Sequence, residues 1–285
     1  MKNTLFGILF AMLWASASVA TKIGIKSVHP FVLADVRFFL AGALMLAYAY
    51  IWKKNRLPKG KEWLDLAIFG ILNVALYLGL FVIAMKYVAA GIGSLSTATN
   101  PLLISLLSAF WIKKTPTSKQ WLAILIGMAG VGVATYPLLQ NSYATPLGLI
   151  IMAGSMLSYS AGTIFFSEKT WTLPRIVINA WQVLFGGLFL LPFTFFTYDN
   201  SLNHYDAAFW YSVLWLAIPV SIVAVLLWLY LLEYEPLKAS LWLFLCPIFG
   251  FLYASVLLSE PFTFYTACGT LLVIVGLWIG QRKEG

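Results

Sequence analysis

The chain has few charged residues, and this scarcity indicates what kind of protein it is. Charged side chains make up 10% of its 285 residues, whereas about 25% is usual for a soluble domain. Apolar side chains make up 61%. A chain with so little polar surface cannot cover a core in water. The composition therefore predicts an integral membrane protein and excludes an ordinary soluble domain.

Cysteine and histidine are also scarce. Cys246 and Cys268 lie in apolar segments without zinc-type spacing, so we expect neither a disulfide framework nor a metal site, and no cofactor. His29 and His204 lie in predicted loops. The formal net charge of +8 would indicate nucleic acid in a soluble protein, but it is typical of cytoplasmic loops in a membrane protein. We therefore expect a lipid bilayer and a small-molecule substrate as partners, and no nucleic acid.

Ten apolar segments are long enough for membrane-spanning helices, which need about 20 residues each. They cover about 4–22, 31–51, 64–85, 91–112, 120–139, 147–167, 176–197, 208–232, 238–258 and 263–280. The strands of a membrane barrel are about ten residues long and alternate polar with apolar side chains, which does not fit. The first segment also resembles a signal peptide, but its removal would leave segment 147–167 without a counterpart. The sequence predicts an all-α integral membrane protein with ten transmembrane helices.

One set of landmarks occurs twice, which predicts two tandem copies of a five-helix unit. The expected repeats are residues 1–140 and 146–285. Five helices per unit place the second copy upside down, so we expect inverted repeats with the substrate site between them. Five pairs carry the repeat: Ser94 and Ser240, Pro101 and Pro247, and Gly130 and Gly276 lie 146 residues apart, and Pro30 and Pro174, and Gly42 and Gly186, lie 144 apart.

Lysine and arginine lie mostly on one side of the predicted bundle. If both termini and the even-numbered connections share a side, that side holds 14 of the 18 basic residues, among them Lys53, Lys113, Arg282 and Lys283. Positive loops stay in the cytoplasm. We expect a multi-pass protein of the inner (plasma) membrane with both termini in the cytoplasm.

Several short motifs keep their order and spacing in the two halves of the chain. They are Trp14-Ala15-Ser16, Lys22, Pro30, Arg37, the run 84–91, Thr99-Asn100-Pro101, the run 237–240, Pro247, the run 258–263, Gly269 and Gly276. In these motifs the chain resembles the drug/metabolite transporter superfamily, in particular its EamA-type permeases. The resemblance implies a ten-helix inverted-repeat bundle that moves small organic molecules, often outward. Where the first repeat should carry the acid equivalent to Glu260, this chain has Lys114.

Polar residues in apolar helices are the candidate substrate contacts. Pro101 and Pro247 predict helix kinks, because proline removes a backbone donor, and Asn100 precedes the first of them. The competing interpretation is that hydroxyls bond to their own helix and that aromatic side chains pack or anchor at the membrane surface. The candidates are Trp14, Asn73, Tyr77, Thr97, Asn100, Ser155, Tyr159, Trp228 and Trp242.

Charged residues near the second helix are candidates for gating or ion coupling. Asp35 and Arg37 lie within the span, and Lys22 ends the first helix on the same side, where it could approach Asp35. A charge inside a membrane is costly and usually functional. The alternative is that these side chains reach the headgroups.

Small residues mark the fifth and tenth helices as structural. Gly127 and Gly130 lie on one face, and Gly276 with Gly280 forms a GxxxG motif, which permits close packing. Packing within one chain is expected, with a homodimer as the alternative.

The sequence predicts a permease or exporter that works by alternating access and has no catalytic residues. The main rival is an intramembrane enzyme, and a sensor or scaffold is a weaker one. Amino acids, nucleosides, polyamines and drugs all stay open as substrates.

Overall fold

The computed structural model describes residues 2–113, 116–140, 144–233, 236–261 and 263–281. In this part of the chain ten long helices follow one another, with a short 3-10 turn at Asn200–Leu202. The helices are α1 (Lys2–Gly24), α2 (Pro30–Trp52), α3 (Lys61–Ala84), α4 (Ala90–Trp111), α5 (Ser118–Gln140), α6 (Pro146–Glu168), α7 (Arg175–Thr197), α8 (Ala207–Leu232), α9 (Pro236–Leu258) and α10 (Phe264–Gln281).

Eight of these helices are long and apolar enough to cross a membrane. Helices α5 and α10 contain shorter apolar stretches, Ser118–Ala134 and Phe264–Gly280. This arrangement confirms the predicted all-helical membrane class and is consistent with ten spans. Lys114, Arg282 and Lys283 lie outside the described residues.

Four helices change their winding near the middle. A π-helical segment occupies Ile71–Leu76 of α3 and Leu216–Ala224 of α8. A 3-10 segment occupies Thr97–Thr99 of α4 and Leu241–Leu245 of α9. Proline accounts for three of the four, because it removes an N–H from the helical ladder: Pro219 lies in the α8 segment, and Pro101 and Pro247 follow the two 3-10 segments. Helix α2 also ends in a π segment, Ala47–Trp52.

Helices from the two halves of the chain pack against each other throughout. Helix α2 packs on α7, α4 on α9 and α5 on α10, while α1 packs on α8 and α9 and α6 packs on α3 and α4. The contact between α5 and α10 is made through glycine. A Cβ on Gly130 would lie 2.6 Å from the carbonyl oxygen of Gly269, and one on Gly276 would lie 2.8 Å from that of Ala123. The predicted close packing of these two helices within one chain is therefore present.

Successive helices run in opposite directions, so the connecting loops form two faces. We call the face with loops 53–60 and 169–174 the N-terminal face, and the face with loops 25–29, 85–89, 198–206 and 259–261 the opposite face. Hydrogen bonds join the loops within each face. Thr172 donates to Glu62 on the N-terminal face, and the His204 N–H donates to the Ser27 carbonyl on the opposite face. Each face is thus closed by contacts between the two halves of the chain.

Candidate functional site

A cluster of buried aromatic rings lies where α1, α3, α6 and α8 meet. Trp14 stacks on Tyr77 with ring centroids 6.3 Å apart and lies 5.9 Å from Tyr159. Tyr159 lies 4.7 Å from Tyr77 and 5.8 Å from Trp228. All four rings are buried. The structure therefore brings together four of the predicted substrate residues, and Phe10, which the sequence did not single out, stacks on Trp228.

A small cavity of ≈ 10 Å³ lies beside this cluster. It is enclosed by side chains of α1, α2, α3, α4 and α8, which come from both halves of the chain. A cavity of this size has room for about one water molecule. Its lining residues are Trp14, Ala17, Ser18, Arg37, Tyr77, Leu78, Phe81, Thr97 and Val220.

Arg37 is the charged residue of this cavity. Its side chain is 2% exposed, and its Nε–H donates to Ser221 Oγ at 2.8 Å. Among the described residues, no carboxylate pairs with Arg37. An isolated charge in a membrane interior is costly and usually serves a function.

Ser221 is one end of a chain of buried amides that spans α8, α7 and α3. Asn179 donates to the Ser221 carbonyl at 2.8 Å, and Gln182 donates to Asn179 at 2.9 Å. Asn73 in turn donates to Gln182 at 2.9 Å. Asn73 was a predicted substrate residue, but the structure places it in this network instead of the cavity lining. Sequence analysis missed Asn179 and Gln182, although two amides three residues apart in an apolar span were a visible signal.

The hydroxyl groups of α4 largely bond within their own helix. Thr97 donates to the Ser94 carbonyl at 2.6 Å, and Ser96 and Thr99 make the same three-residue contact. Thr97 nevertheless lines the cavity with the rest of its side chain. The hydroxyls of Ser96, Thr97 and Thr99 therefore bond to their own helix, as the competing interpretation predicted.

Asn100 and Ser155 have partners on neighbouring helices. Asn100 accepts from Ser160 Oγ at 3.1 Å and donates to Met156 Sδ at 3.4 Å, so α6 uses both ends of its amide. Ser155 donates to the Tyr77 carbonyl at 2.8 Å and braces the start of the α-helical part of α3 after its π segment. Neither residue lines the cavity in this conformation, and their contact with substrate stays a prediction.

Trp242 packs against Gly7 of α1, and in the described part of the chain its ring does not pair with the four rings of the cluster. A Cβ on Gly7 would come within 2.2 Å of its ring, so the indole fills a place that only glycine leaves open. This contact favours a packing role for Trp242. The predicted kinks at Pro101 and Pro247 fall at the 3-10 segments described above.

The structure does not bring Lys22 and Asp35 together, because Lys22 bonds to loop 85–89 and Asp35 bonds to α7. Lys22 donates to the carbonyls of Met85 and Val88, both at 2.7 Å. Asp35 is 4% exposed and accepts from Thr194 on α7, while its second oxygen has no hydrogen-bond partner among the described residues. Both belong to the opposite-face half of the bundle, where Asp35 lines a groove of ≈ 280 Å³ between α2 and α7.

Glu260 fastens the start of α4 at the opposite face. Its two carboxylate oxygens accept from the backbone N–H groups of Ala90 and Gly91 at 2.8 and 2.9 Å. Unsatisfied N–H groups and the helix dipole make a helix N-terminus a favourable place for a carboxylate. Helix α9, in contrast, begins at Pro236, which has no N–H.

An acidic residue also joins the first half of the chain to the second at each face. Glu62, at the start of α3, accepts from Thr172 at 2.5 Å and pairs with Arg56 on the N-terminal face. Asp206, which caps α8 through the Phe209 N–H, accepts from Ser27 at 3.0 Å on the opposite face. The hydrogen bonds from Phe209 and Ser27 hold the pKa of Asp206 below its usual value. We call these two contacts, Glu62–Thr172 and Asp206–Ser27, the face clasps.

A larger apolar groove of ≈ 590 Å³ lies between α1, α8 and α9. It is separated from the small cavity by α1, on which Ser16 faces the groove while Ala17 and Ser18 face the cavity. The indole N–H of Trp215 donates to Ser16 Oγ at 2.8 Å, and this hydrogen bond joins α8 to α1 in the wall of the groove. Its lining residues are Ser16, Val19, Ala20, Ile23, Ala208, Tyr211, Ser212, Trp215, Tyr253 and Leu257.

Comparison with protein families finds one match along nearly the whole chain. The sequence profile described as EamA-like transporter family matches residues 1–136 and 146–279.

Individual relatives and a solved structure are similar over almost their full lengths. An uncharacterized transporter of Archaeoglobus fulgidus is 27% identical over 290 residues, 99% of this chain and 98% of its own. The uncharacterized inner membrane transporter YedA of Escherichia coli is 28% identical over 261 residues, 90% of this chain and 83% of its own. A crystal structure superposes with a TM-score of 0.77 at 21% identity, covering 99% of this chain and 98% of the other.

Proposed function

Since the chain belongs to the EamA-like transporter family of the drug/metabolite transporter superfamily and is a multi-pass membrane transporter, we propose that it carries small organic metabolites such as amino acids by alternating access. The family match confirms the resemblance seen in the sequence motifs. The proposed substrate site is the aromatic cavity around Trp14, Tyr77, Tyr159 and Arg37.

The observation that carries this proposal is the pair of face clasps. The cavity lies between them, and each clasp joins the first half of the chain to the second at one face. A carrier that alternates needs a barrier on each side that opens in turn. Because the cavity of ≈ 10 Å³ is too small for an organic molecule, substrate binding requires the lining helices to separate.

Several features support inverted repeats at residues 1–140 and 146–285. The π segments of α3 and α8 begin 145 residues apart, and the 3-10 segments of α4 and α9 begin 144 apart. Glu62 and Asp206, the acids of the two clasps, are also 144 residues apart. The two stretches that match the family profile have similar limits. Helices 2, 4 and 5 of the first half each pack on their own counterparts, as an axis in the membrane plane would require.

We propose the plasma membrane as the location, with the N-terminal face in the cytoplasm, because most lysine and arginine residues lie at that face. A reporter that is active only outside the cytoplasm, inserted in loop 53–60, should stay silent. Activity there would contradict this orientation.

Disulfide cross-links across the clasps test the mechanism. Both native cysteines are first replaced by serine. Ser27→Cys with Asp206→Cys should then lock the opposite face, and Glu62→Cys with Thr172→Cys the N-terminal face. A screen of cell metabolites with the protein in liposomes first identifies solutes that it exchanges saturably. We expect each cross-link to stop the exchange of these solutes, and a reductant to restore the exchange.

The single-cysteine variants serve as controls, because each loses the same hydrogen bond, and their exchange should be the same with and without oxidant. Full exchange with both cross-links formed, verified by mass, would refute alternating access through these clasps. Release of a chemically altered product would instead support the enzyme alternative.

A further inference from the structure

The cavity carries one positive charge and no negative one. Arg37 contributes its guanidinium, and none of the lining residues is an aspartate or glutamate. Asp35 lies two residues away on α2, so it points to a different side of the helix, where it accepts from Thr194. The charge of Arg37 is therefore not neutralised by a carboxylate among the described residues.

The buried amide network holds the guanidinium in one orientation. Ser221 accepts from Nε, and Asn179 fixes the Ser221 backbone by donating to its carbonyl. Neither terminal nitrogen of Arg37 donates a hydrogen bond to a described residue, although the side chain is almost fully buried. The two terminal nitrogens of arginine match the two oxygens of a carboxylate, with which they form paired hydrogen bonds.

The wall next to Arg37 is suited to a ring. Trp14 and Tyr77 line the cavity together with Arg37, and Tyr159 stands behind them. The hydroxyls of Tyr159 and Thr163 are both buried and lie close to each other behind this wall.

We propose that the transported molecule is an organic carboxylate with an aromatic or other apolar body, whose carboxylate binds Arg37. The charge balance selects against cations, because a polyamine or a cationic drug would meet a buried positive charge and no acid. The proposal rests on the carrier function proposed above. It narrows the possible substrates from amino acids, nucleosides, polyamines and drugs, which the sequence left open, to organic carboxylates.

A panel of three indole compounds separates the charge requirement from the ring requirement. Indole-3-propionate has the carboxylate alone, tryptamine the amine alone, and L-tryptophan both. Binding to purified wild-type protein in nanodiscs, measured by equilibrium dialysis, should be detectable for the two carboxylates. Tryptamine should bind at least about tenfold more weakly, because it has no carboxylate to form the charged, hydrogen-bonded pair with Arg37.

Variants of Arg37 test the assigned residue. Arg37→Gln should weaken indole-3-propionate binding by at least about tenfold, and Arg37→Lys by less, because lysine keeps the charge without the planar fork. Lys86→Gln is the matched control, since it removes an exposed positive charge of the opposite face and should leave binding unchanged. Thermal unfolding shows whether each variant is folded. The panel of indole compounds on the wild-type protein tests the proposal even if a variant does not fold.

Equal binding of tryptamine and indole-3-propionate, failure of all three to bind, or full binding by folded Arg37→Gln would overturn the proposal. Saturable exchange of a cation that indole-3-propionate does not inhibit would also overturn it, yet leave the carrier function intact. Binding that depends on Arg37 without exchange of any solute would support the site and refute the carrier function.

Discussion

Removing the Glu260 side chain should open the opposite face more often. Glu260→Ala deletes the acceptor of two backbone N–H groups at the start of α4, those of Ala90 and Gly91. A hydrogen bond to a charged group contributes about 1.5–3 kcal/mol, and loss of a helix N-cap costs about 1–2 kcal/mol. Because Glu260 is only partly buried, we take about 2 kcal/mol for both bonds together. That energy corresponds to a shift of about 30-fold in the equilibrium between closed and open opposite face.

Labelling of a single cysteine in the cavity measures this shift. In a chain with both native cysteines replaced by serine, Ala17→Cys places a thiol in the cavity lining. A membrane-impermeant thiol reagent added at the opposite face should react up to about 30-fold faster after Glu260→Ala. Lys22→Met, which removes the donor to Met85 and Val88, should act in the same direction.

The matched control removes an acid from the other face. Glu62→Ala breaks the N-terminal clasp, so labelling from the opposite face should not rise, whereas labelling from the N-terminal face should. If Glu260→Ala lowers thermal stability while the labelling rate stays within about threefold of the parent, Glu260 stabilises open and closed states alike. Glu260 would then have no specific role in closing the opposite face.

Three further predictions test packing and coupling. Gly130→Leu should destabilise the fold by about 1–3 kcal/mol, because its Cβ would press on Gly269, whereas Gly132→Ala, with nothing within 4 Å, should be nearly neutral in thermal unfolding. Asn100→Ala and Ser160→Ala should be coupled by about 0.6–1.7 kcal/mol in a double-mutant cycle, and purely additive effects would contradict their hydrogen bond. Asp35→Asn should remove the acceleration of liposome uptake by an imposed pH gradient while sparing exchange at equal pH, and a wild-type rate that ignores the gradient would end the proton hypothesis.

The sequence predicted the helices, for a physical reason. A membrane span must be apolar for about 20 residues, so its limits are visible without knowledge of its neighbours. The aromatic candidates Trp14, Tyr77, Tyr159 and Trp228 differ from Trp52 and Tyr211, which are exposed, and the sequence alone does not separate the two groups. The structure gathers all four into one cluster.

The partners of the polar side chains could not be predicted in this way. Asn100 and Asn73 were polar residues in apolar spans, just as Thr97 was, but the rotation and depth of each helix against its neighbours decide where they point. Asn100 meets Ser160 on α6, and Asn73 meets Gln182 on α7. The period of one helix gives its buried face but does not say which helix covers that face. The predicted contact between Lys22 and Asp35 is not present for the same reason.

The unequal helix starts of α4 and α9 have a consequence for the kinetics of transport. The start of α4 offers Glu260 two N–H groups, whereas α9 starts at Pro236 and has one donor fewer. The empty carrier should therefore rest with its opposite face shut, and a solute there must wait for a rare opening before it can bind. We expect a higher half-saturating concentration on that side than on the other. This preference cannot drive accumulation, since the ratio of maximal rate to half-saturating concentration must be the same in both directions when no gradient is coupled.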